Sequence, residues 1–343
     1  MKRSPMLFAL AICILFLMPA VLFAQRGSRS QGDVIEVRLA SPLPRNSDWG
    51  RALDRLAGEW ARVTNNQVLL RVLHDGIEGG DAKMLSSLST DNIQAALFAS
   101  FGLAEICPSI MTLSVPFLIG DDAELDLVLK DVLPVFEAQI NRTNFAVLAW
   151  SKGGWVNIFS KDPVVVPDDL RRQKLATNPE SVDLNTAFKT MGFQLVETET
   201  NDVGPKLASN MISAIYQTPA AIAPLMLQRS LGNMLEMPIS LFMGAIVMNR
   251  VTWNKLGPER QRDITMVTQR VTDEFDTRMP RIAEDAIKAM QRDGLKVNTV
   301  SANQKELWRA EIVKVMPSLL GTTFDRDMYQ RINTILERSR ARR

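Results

Sequence analysis

The chain has 343 residues, of which 46% are hydrophobic, and its 40 Lys and Arg against 38 Asp and Glu give a formal net charge of +2. So balanced a charge gives no electrostatic reason to bind nucleic acid or anionic lipid. The length exceeds what a single hydrophobic core normally serves, so we expect two lobes. The hydrophobic content is sufficient for burial of apolar surface alone to stabilise them.

The N-terminus has the pattern of an export signal. Lys2 and Arg3 precede the uncharged, apolar run 6–23, which ends before the small residue Ala24. This pattern predicts a cleavable signal peptide over residues 1–24, and hence a periplasmic mature protein with no net charge. An uncleaved membrane anchor is the alternative, because the apolar run nearly reaches the length of a spanning helix.

Cysteine usage and the start of the mature chain are also informative. Cys13 lies inside the apolar run and follows the bulky Ile12, which argues against a lipoprotein site. Cys107 is the only other cysteine, so no intramolecular disulfide is expected in the mature protein. Residues 25–32 are rich in Gly, Ser and Gln and predict a flexible N-terminal tail.

Strands and helices alternate in the first half of the mature chain. Residues 34–39 and 67–72 alternate between apolar and polar side chains, and the residues from Leu53 to Val63 carry apolar side chains at helical spacing. Strand, helix and strand in succession predict a βαβ unit with parallel strands. Further elements of the same pattern are predicted at 82–88 (helix), 93–100 (strand), 128–136 (helix) and 145–150 (strand).

The same order restarts after Trp150. The elements predicted there are strands at 175–178, 194–197 and 212–216 and helices at 182–191 and 203–208. No Gly/Ser linker separates this half from the first, so we expect two closely coupled α/β lobes.

A long helix and a basic end complete the chain. Residues 258–293 carry apolar side chains every three or four positions, which predicts a helix about 54 Å long, enough to run along both lobes. Pro280 interrupts its hydrogen bonds and is expected to kink it. The final segment, 338–343, contains four arginines and predicts a solvated tail rather than a nucleic-acid patch.

The motifs of common catalytic and cofactor sites are absent from the sequence. His74 is the only histidine, so no second imidazole can share a metal with it. The chain has no G-x-S-x-G motif, Walker loop or dinucleotide fingerprint. We therefore expect a non-enzymatic protein with no catalytic residue, no metal site and no cofactor.

Four segments of the chain resemble the solute receptors of tripartite ATP-independent periplasmic (TRAP) transporters. They are LASP at 39–42, SVPFL at 114–118, PVVVPDDL at 163–170 followed by KL at 174–175, and NRVTWNKL at 249–256. Each segment is weakly specific alone, but their order and spacing are similar to those of the family. The resemblance implies an α/β, two-lobed periplasmic binding protein of the Venus flytrap type, with a long helix along both lobes. Such a receptor closes on a small-molecule ligand and delivers it to a TRAP-type integral membrane permease.

This layout divides the chain into six segments. The expected segments are the signal peptide 1–24, the tail 25–32, lobe 1 at 33–149 plus 241–257, lobe 2 at 150–240 plus 295–325, the long helix 258–293, and a C-terminal helix with a basic tail at 326–343.

The residues expected to bind the ligand depart from the family pattern. The resemblance implies an acid ligand held by an arginine on the strand after KL, because guanidinium pairs bidentately with a carboxylate. Here that position is Ala176, and the position of a second family arginine is Val156. The scaffold is therefore similar to the family, whereas the missing arginines predict an uncharged or hydrophobic ligand.

The resemblance implies seven further ligand-binding positions, each of which could instead serve packing. They are Ser100, Trp150, Trp155, Asn178, Thr200, Gln217 and Phe242. Among them, Gln217 keeps an amide near the expected cleft. The alternative function is a scaffold without a ligand, which would act as a partner-binding subunit of a membrane-associated complex and contact an additional periplasmic protein.

The signal-peptide prediction is tested by the intact mass of the exported protein. We expect a mature chain that starts at or near Gln25 and is found in the periplasm. A mass that includes residues 1–24, or that carries a diacylglycerol on Cys13, would contradict this prediction.

Overall fold

The computed structural model describes residues 34–179 and 182–342. The predicted signal peptide and tail lie outside the described residues. The strands found in the described part are β1 (Ile35–Ala40), β2 (Val68–Leu73), β3 (Ala95–Ala99), β4 (Phe145–Ser160), β5 (Lys174–Thr177), β6 (Gln194–Glu197), β7 (Ala214–Gln217), β8 (Asn233–Leu235), β9 (Ser240–Asn249) and β10 (Lys296–Asn298).

The helices in the described residues are α1 (Asp48–Val63), α2 (Asp81–Ser89), α3 (Ser100–Ala104), α4 (Asp122–Ile140), α5 (Pro167–Arg171), α6 (Val182–Thr190), α7 (Val203–Ala208), α8 (Pro219–Ile222), α9 (Gln228–Leu231), α10 (Arg250–Arg292), α11 (Ala302–Leu319) and α12 (Arg326–Arg340). Helices α2, α6 and α7 begin and end within one residue of the prediction, whereas α4 extends beyond the predicted 128–136 at both ends and α10 begins before the predicted residue 258. Short 3-10 helices occur at Pro108–Ser114, Thr200–Asp202 and Ala223–Leu225. Across the described residues, none of these helices combines the length and the hydropathy that a membrane span requires.

The strands form one continuous sheet with the order β2-β1-β3-β9-β4-β7-β5-β6, to which β8 and β10 attach beside β4. Strands β1, β2 and β3 pair in parallel and form a first parallel group. Strands β5, β6 and β7 pair in parallel and form a second. Between the groups lie β4 and β9, which pair antiparallel with each other and are called the crossing strands below. The α/β class predicted from the alternation of elements is thus confirmed.

Strand β4 is much longer than the prediction, which ended this strand at Trp150. It continues to Ser160 and pairs with β9 from Phe145 opposite Asn249 to Val156 opposite Ser240. The register shifts twice along this ladder, and the second shift lies between Lys152 and Gly154. A glycine pair is a common sign of a turn, so the sequence pattern does not reveal that the strand passes through it.

The long helix α10 covers one face of the first parallel group. Its apolar residues at three- and four-residue spacing are buried against α1 and the strands, as the spacing predicts. A hydrogen bond of 2.9 Å from Trp60 Nε1 to Thr268 Oγ1 fixes α1 on α10. The non-helical backbone inside α10 is at Gly257 (φ 74°, ψ 161°) rather than at Pro280, where the kink was expected.

The basic C-terminal end is not wholly a solvated tail. Helix α12 continues to Arg340, whose guanidinium donates to both carboxylate oxygens of Glu124, at 2.8 and 2.7 Å. The Glu124 side chain is only 5% exposed and also accepts a hydrogen bond from Gly120 N. Hydrogen bonding from Arg340 lowers the pKa of Glu124 below its ordinary value. The expectation of a solvated tail is therefore wrong for Arg340, because the start of α4 presents a buried carboxylate to it.

We expect Arg340→Ala to destabilise the fold by about 1–3 kcal/mol at neutral pH, because the variant leaves a buried carboxylate without its charged partner. Since folding lowers the pKa of Glu124, this contribution is present above the unfolded pKa and is lost as the pH falls through the folded pKa. The measurement is urea unfolding of both proteins at pH 7 and in the acid range. Arg338→Ala, an exposed arginine on the same helix, is the matched control. Equal stability of the two variants at pH 7 would contradict this account.

Candidate functional site

The carboxyl ends of the two parallel groups meet at one place in the structure. Gly76 follows β2, Pro42 follows β1, and Asn201 follows β6. A Cβ atom built on Gly76 would lie 3.6 Å from Asn201 Oδ1 and 3.8 Å from the Pro42 carbonyl oxygen. Ligands of open α/β sheets bind outside the carboxyl ends of the strands. The loops that meet here are therefore the candidate cleft, and they are in close contact.

Four of the predicted site residues lie at the carboxyl ends of the second parallel group. Ala176 is next to last in β5, Asn178 follows that strand, and Gln217 ends the neighbouring β7. Thr200 begins the 3-10 helix that follows β6. The Gln217 side-chain oxygen accepts from the Thr218 backbone N–H at 2.8 Å. The structure thus brings these four positions to one edge of the sheet.

Ala176 lies on an apolar face of that edge. Side chains alternate along a strand, so Ala176 and its neighbour Leu175 point to opposite faces of the sheet. Ala176 packs against a buried apolar cluster that includes Phe159, Ile215 and Met234. Leu175 belongs to a different cluster on the other face. The position at which the resemblance implies an arginine is therefore filled by a methyl group in apolar surroundings.

The two predicted tryptophans are tied to helix α4. Trp150 Nε1 donates to Glu137 Oε1 at 2.9 Å, and Trp155 Nε1 donates to Asp122 Oδ1 at 2.8 Å. Both indoles lie on β4, so these bonds fix that crossing strand on α4. The tryptophans are therefore placed as structural contacts of the strand.

Ser100 and Val156 are fully buried. Ser100 Oγ accepts from the Met243 backbone N–H at 2.9 Å and thereby joins the start of α3 to β9. Val156 lies opposite Ser240 in the crossing ladder, where the resemblance implies a second arginine. Neither side chain offers a free polar group to a ligand.

Phe242 lines an apolar cavity that the sequence did not reveal. Its ring makes edge contacts with Phe101 and Tyr216, with centroids 5.7 and 5.9 Å apart. The Tyr216 hydroxyl and Ser240 Oγ form a hydrogen bond in the wall, and burial raises the pKa of Tyr216. The walls include Phe101, Met111, Leu175, Phe188, Tyr216, Phe242 and Trp308. These residues come from elements far apart in sequence, so no local pattern joins them.

The cavity is small and nearly without charge in this conformation. Its volume is about 40 Å³, whereas small-molecule pockets usually measure about 300–1,000 Å³. Glu311 is the only charged side chain among the described residues that line it. Its carboxylate is paired with Arg171 at 2.9 Å and with Lys314 at 2.7 Å.

Two buried polar atoms near the carboxyl end of β5 have no hydrogen-bond partner in the described part of the chain. They are Thr177 Oγ1, on the last residue of β5, and Asn185 Oδ1, on α6. Asn185 uses its amide nitrogen to donate to the Asn178 carbonyl at 2.8 Å. Buried polar atoms are nearly always hydrogen-bonded, so unpaired ones indicate groups with a role still to be assigned.

His74 differs from these atoms because one of its ring nitrogens is paired. Its Nε2 lies 2.8 Å from Asp54 Oδ1, while Nδ1 is buried without a partner in the described residues. Within the described ranges, no group of three or more His, Cys, Asp or Glu side chains could hold a metal ion.

Comparison with solved structures shows the fold. A TRAP periplasmic solute-binding protein from Sulfurospirillum deleyianum with bound succinate has a TM-score of 0.81 at 17% identity, covering 88% of this chain and 99% of that one. The sugar acid binding protein from Advenella mimigardefordensis in complex with galactonate has a TM-score of 0.83 at 16% identity, covering 90% and 99%. A TRAP solute-binding protein from Ralstonia eutropha with bound (S)-2-acetolactate has a TM-score of 0.82 at 18% identity, covering 88% and 99%. The predicted two-lobed α/β fold with a long helix is confirmed.

Comparison of sequences shows the family. A curated solute-binding protein from Sulfitobacter sp. (strain NAS-14.1) is 26% identical over 171 residues, which is 49% of this chain and 52% of the relative. The chain thus spans about half the length of the curated relative it matches. The model of the DctP family, described as bacterial extracellular solute-binding protein, family 7, matches residues 39–320. This match covers most of the chain, and the chain therefore belongs to family 7 of the bacterial extracellular solute-binding proteins.

Proposed function

We propose that this protein is the periplasmic receptor of a TRAP-type transporter and that its ligand is uncharged, or apolar at its buried end. The receptor captures the small molecule between lobe 1 (33–149 plus 241–257) and lobe 2 (150–240 plus 295–325), and delivers it to an integral membrane permease. The family serves transport rather than catalysis, and a cleavable signal peptide would bring the chain to the periplasm.

The observation that carries the ligand class is the surroundings of Ala176. Ala176 packs against apolar side chains, and Val156, at the second arginine position, is fully buried. A carboxylate enclosed beside them would lose its hydration without gaining a guanidinium. An unpaired buried charge costs at least several kcal/mol, so a closed site of this kind selects against acids.

Neutral polar groups at the same edge support the proposal. Thr177 and Asn185 offer a hydroxyl and an amide oxygen, and both residues are more than nine-tenths buried. Each of these atoms can hydrogen-bond to a hydroxyl or amide group of a neutral ligand at no cost in buried charge. Burial of apolar ligand surface supplies the remaining affinity, since ~200 Å² is worth about 5 kcal/mol.

The solved structures with this fold were found with acids, namely succinate, galactonate and acetolactate. Those proteins are 16–18% identical to this chain, so their ligands do not carry over to it. The proposed difference in ligand class depends on the two positions that lack an arginine here.

Two observations favour the alternative of a scaffold without a ligand. The loops at the candidate cleft are in contact across Gly76 and Asn201, and the apolar cavity holds little open space. A receptor must open these contacts to admit its ligand, whereas a scaffold that binds only protein partners would keep them closed.

Ligand class is tested by calorimetry and thermal shift against dicarboxylates, keto acids, sialic acid, neutral sugars and aliphatic compounds. We expect no submillimolar binding of short dicarboxylates, and binding by a neutral or largely aliphatic compound. Ala176→Arg should create affinity for simple carboxylates, because it restores a bidentate partner. Ala176→Met is the matched control, with a long side chain and no charge.

Two results would overturn this assignment. Submillimolar binding of succinate by the unchanged protein would contradict the ligand class. Failure of every compound, together with native mass spectra that show no co-purified small molecule, would favour the scaffold.

Lobe closure is tested by small-angle X-ray scattering. We propose that the lobes rotate about the crossing strands near Trp150 and Phe242. Saturation with a bound compound should then lower the radius of gyration. An unchanged radius of gyration on confirmed binding would indicate a rigid scaffold.

A further inference from the structure

A carboxylate of the long helix holds the middle of a crossing strand. Asp276 on α10 accepts a hydrogen bond from the Ser151 hydroxyl through Oδ1 and one from the Lys152 backbone N–H through Oδ2, the latter at 2.9 Å. These bonds join two elements more than a hundred residues apart in sequence. Asp276 is flanked by Phe275 and Met279, both buried in the core under α10.

The strand is irregular at the point where Asp276 holds it. The register of the crossing ladder shifts between Lys152 and Gly154, and Gly154 has a φ of 103°, which strongly favours glycine. A Cβ atom on Gly153 would lie 2.8 Å from the Phe242 carbonyl oxygen. The segment 151–154 is therefore a bulge that requires glycine at positions 153 and 154, and bulges bend a strand.

The helix is weakened at the same level. Pro280 lies four residues after Asp276 and has no N–H group, so the Asp276 carbonyl lacks its ordinary helical donor. The bulge of β4, Phe242 of β9 and the turn of α10 that contains Asp276 therefore lie next to one another. These three elements run between the two parallel groups. Two of them are irregular at this place: β4 has a bulge, and α10 lacks one backbone hydrogen bond.

We propose that Asp276 is a latch: while its carboxyl group holds Ser151 and Lys152, it fixes the bulge in the arrangement of this structure, and release of the group accompanies rotation of the two halves. The inference rests on the proposed movement about the crossing strands. Asp276 is thus the positioning residue that sets how readily the two halves rotate about the crossing strands.

The latch responds to pH. Burial raises the pKa of Asp276 from its ordinary 3.8 to about 6, although hydrogen bonds from Ser151 and Lys152 oppose the shift. The charged groups near it are Lys152, which is paired with Asp126 of α4 at 2.5 Å, and Asp273 on its own helix. A released, hydrated Asp276 would have its ordinary pKa. Protonation therefore favours the latched state, and release becomes more favourable as the pH rises from about 4 to about 6, by up to roughly 100-fold, with little change above.

Two substitutions separate the charge of Asp276 from its hydrogen bonds. Asp276→Asn keeps an acceptor for Lys152 and can donate to Ser151 Oγ, so it imitates the protonated latch at every pH. Asp276→Ala removes both bonds and should release the bulge at every pH. Asp285→Asn, an exposed position on the same helix, is the matched control for the loss of one negative charge.

The experiment measures a distance across the two halves in the unliganded protein. Spin labels on the exposed positions Ile77 and Met211, in a Cys107→Ser background, report this distance by pulsed electron resonance between about pH 4 and pH 8. The unchanged protein and Asp285→Asn should gain a longer distance as the pH rises between about 4 and 6. Asp276→Asn should keep the short distance at pH 8, and Asp276→Ala should show the long one at pH 5.

The latch is refuted if Asp276→Asn follows the same pH profile as the unchanged protein. It is also refuted if one distance persists in all variants at every pH. The ligand proposal is tested separately, by the compound panel. If the distance depends on pH but no compound of the panel binds, the latch is supported and the ligand proposal is contradicted.

Discussion

The antiparallel pairing of β4 and β9 is the contact on which the rest of the structure depends. Strand β9 pairs with β3 of the first parallel group, and β4 pairs with β7 of the second, so the β4–β9 ladder joins the two groups. The two halves therefore share one hydrogen-bonded ladder instead of a flexible linker. The carboxyl ends of both groups can then meet at the candidate cleft, and α10 can contact the same ladder through Asp276.

Much of the fold was predictable from local patterns. Strands such as β6 and helices such as α6 and α7 begin and end within a residue or two of the prediction, since their apolar periodicity is regular. The second half of β4 was missed because Gly153 and Gly154 look like a turn. Strand β9 was missed because a continuous apolar run shows no period of two, as is common for strands buried on both faces.

The site was predictable only in part. The positions of Ala176, Gln217 and their neighbours followed from the resemblance to the family, and the structure gathers them at one sheet edge. By contrast, the oxygens of Thr177 and Asn185, which have no hydrogen-bond partner among the described residues, become informative only when their burial is known. The role of Asp276 depends in the same way on a contact with residues far away in sequence, which periodicity cannot reveal.

The pairing of Arg340 with Glu124 has a consequence for the order of events in folding. Strand β9 pairs with β3 of the first parallel group on one side and with the crossing strand β4 on the other. Helix α12 packs on α4, where Arg340 pairs with Glu124. The N-terminal half therefore cannot complete its sheet or neutralise Glu124 while the ribosome still holds the remaining residues. Early segments lack their long-range partners until synthesis ends, and such partners form slowly. The sheet of the first parallel group and the ion pair of Glu124 are therefore completed only after β9 and α12 have been synthesised.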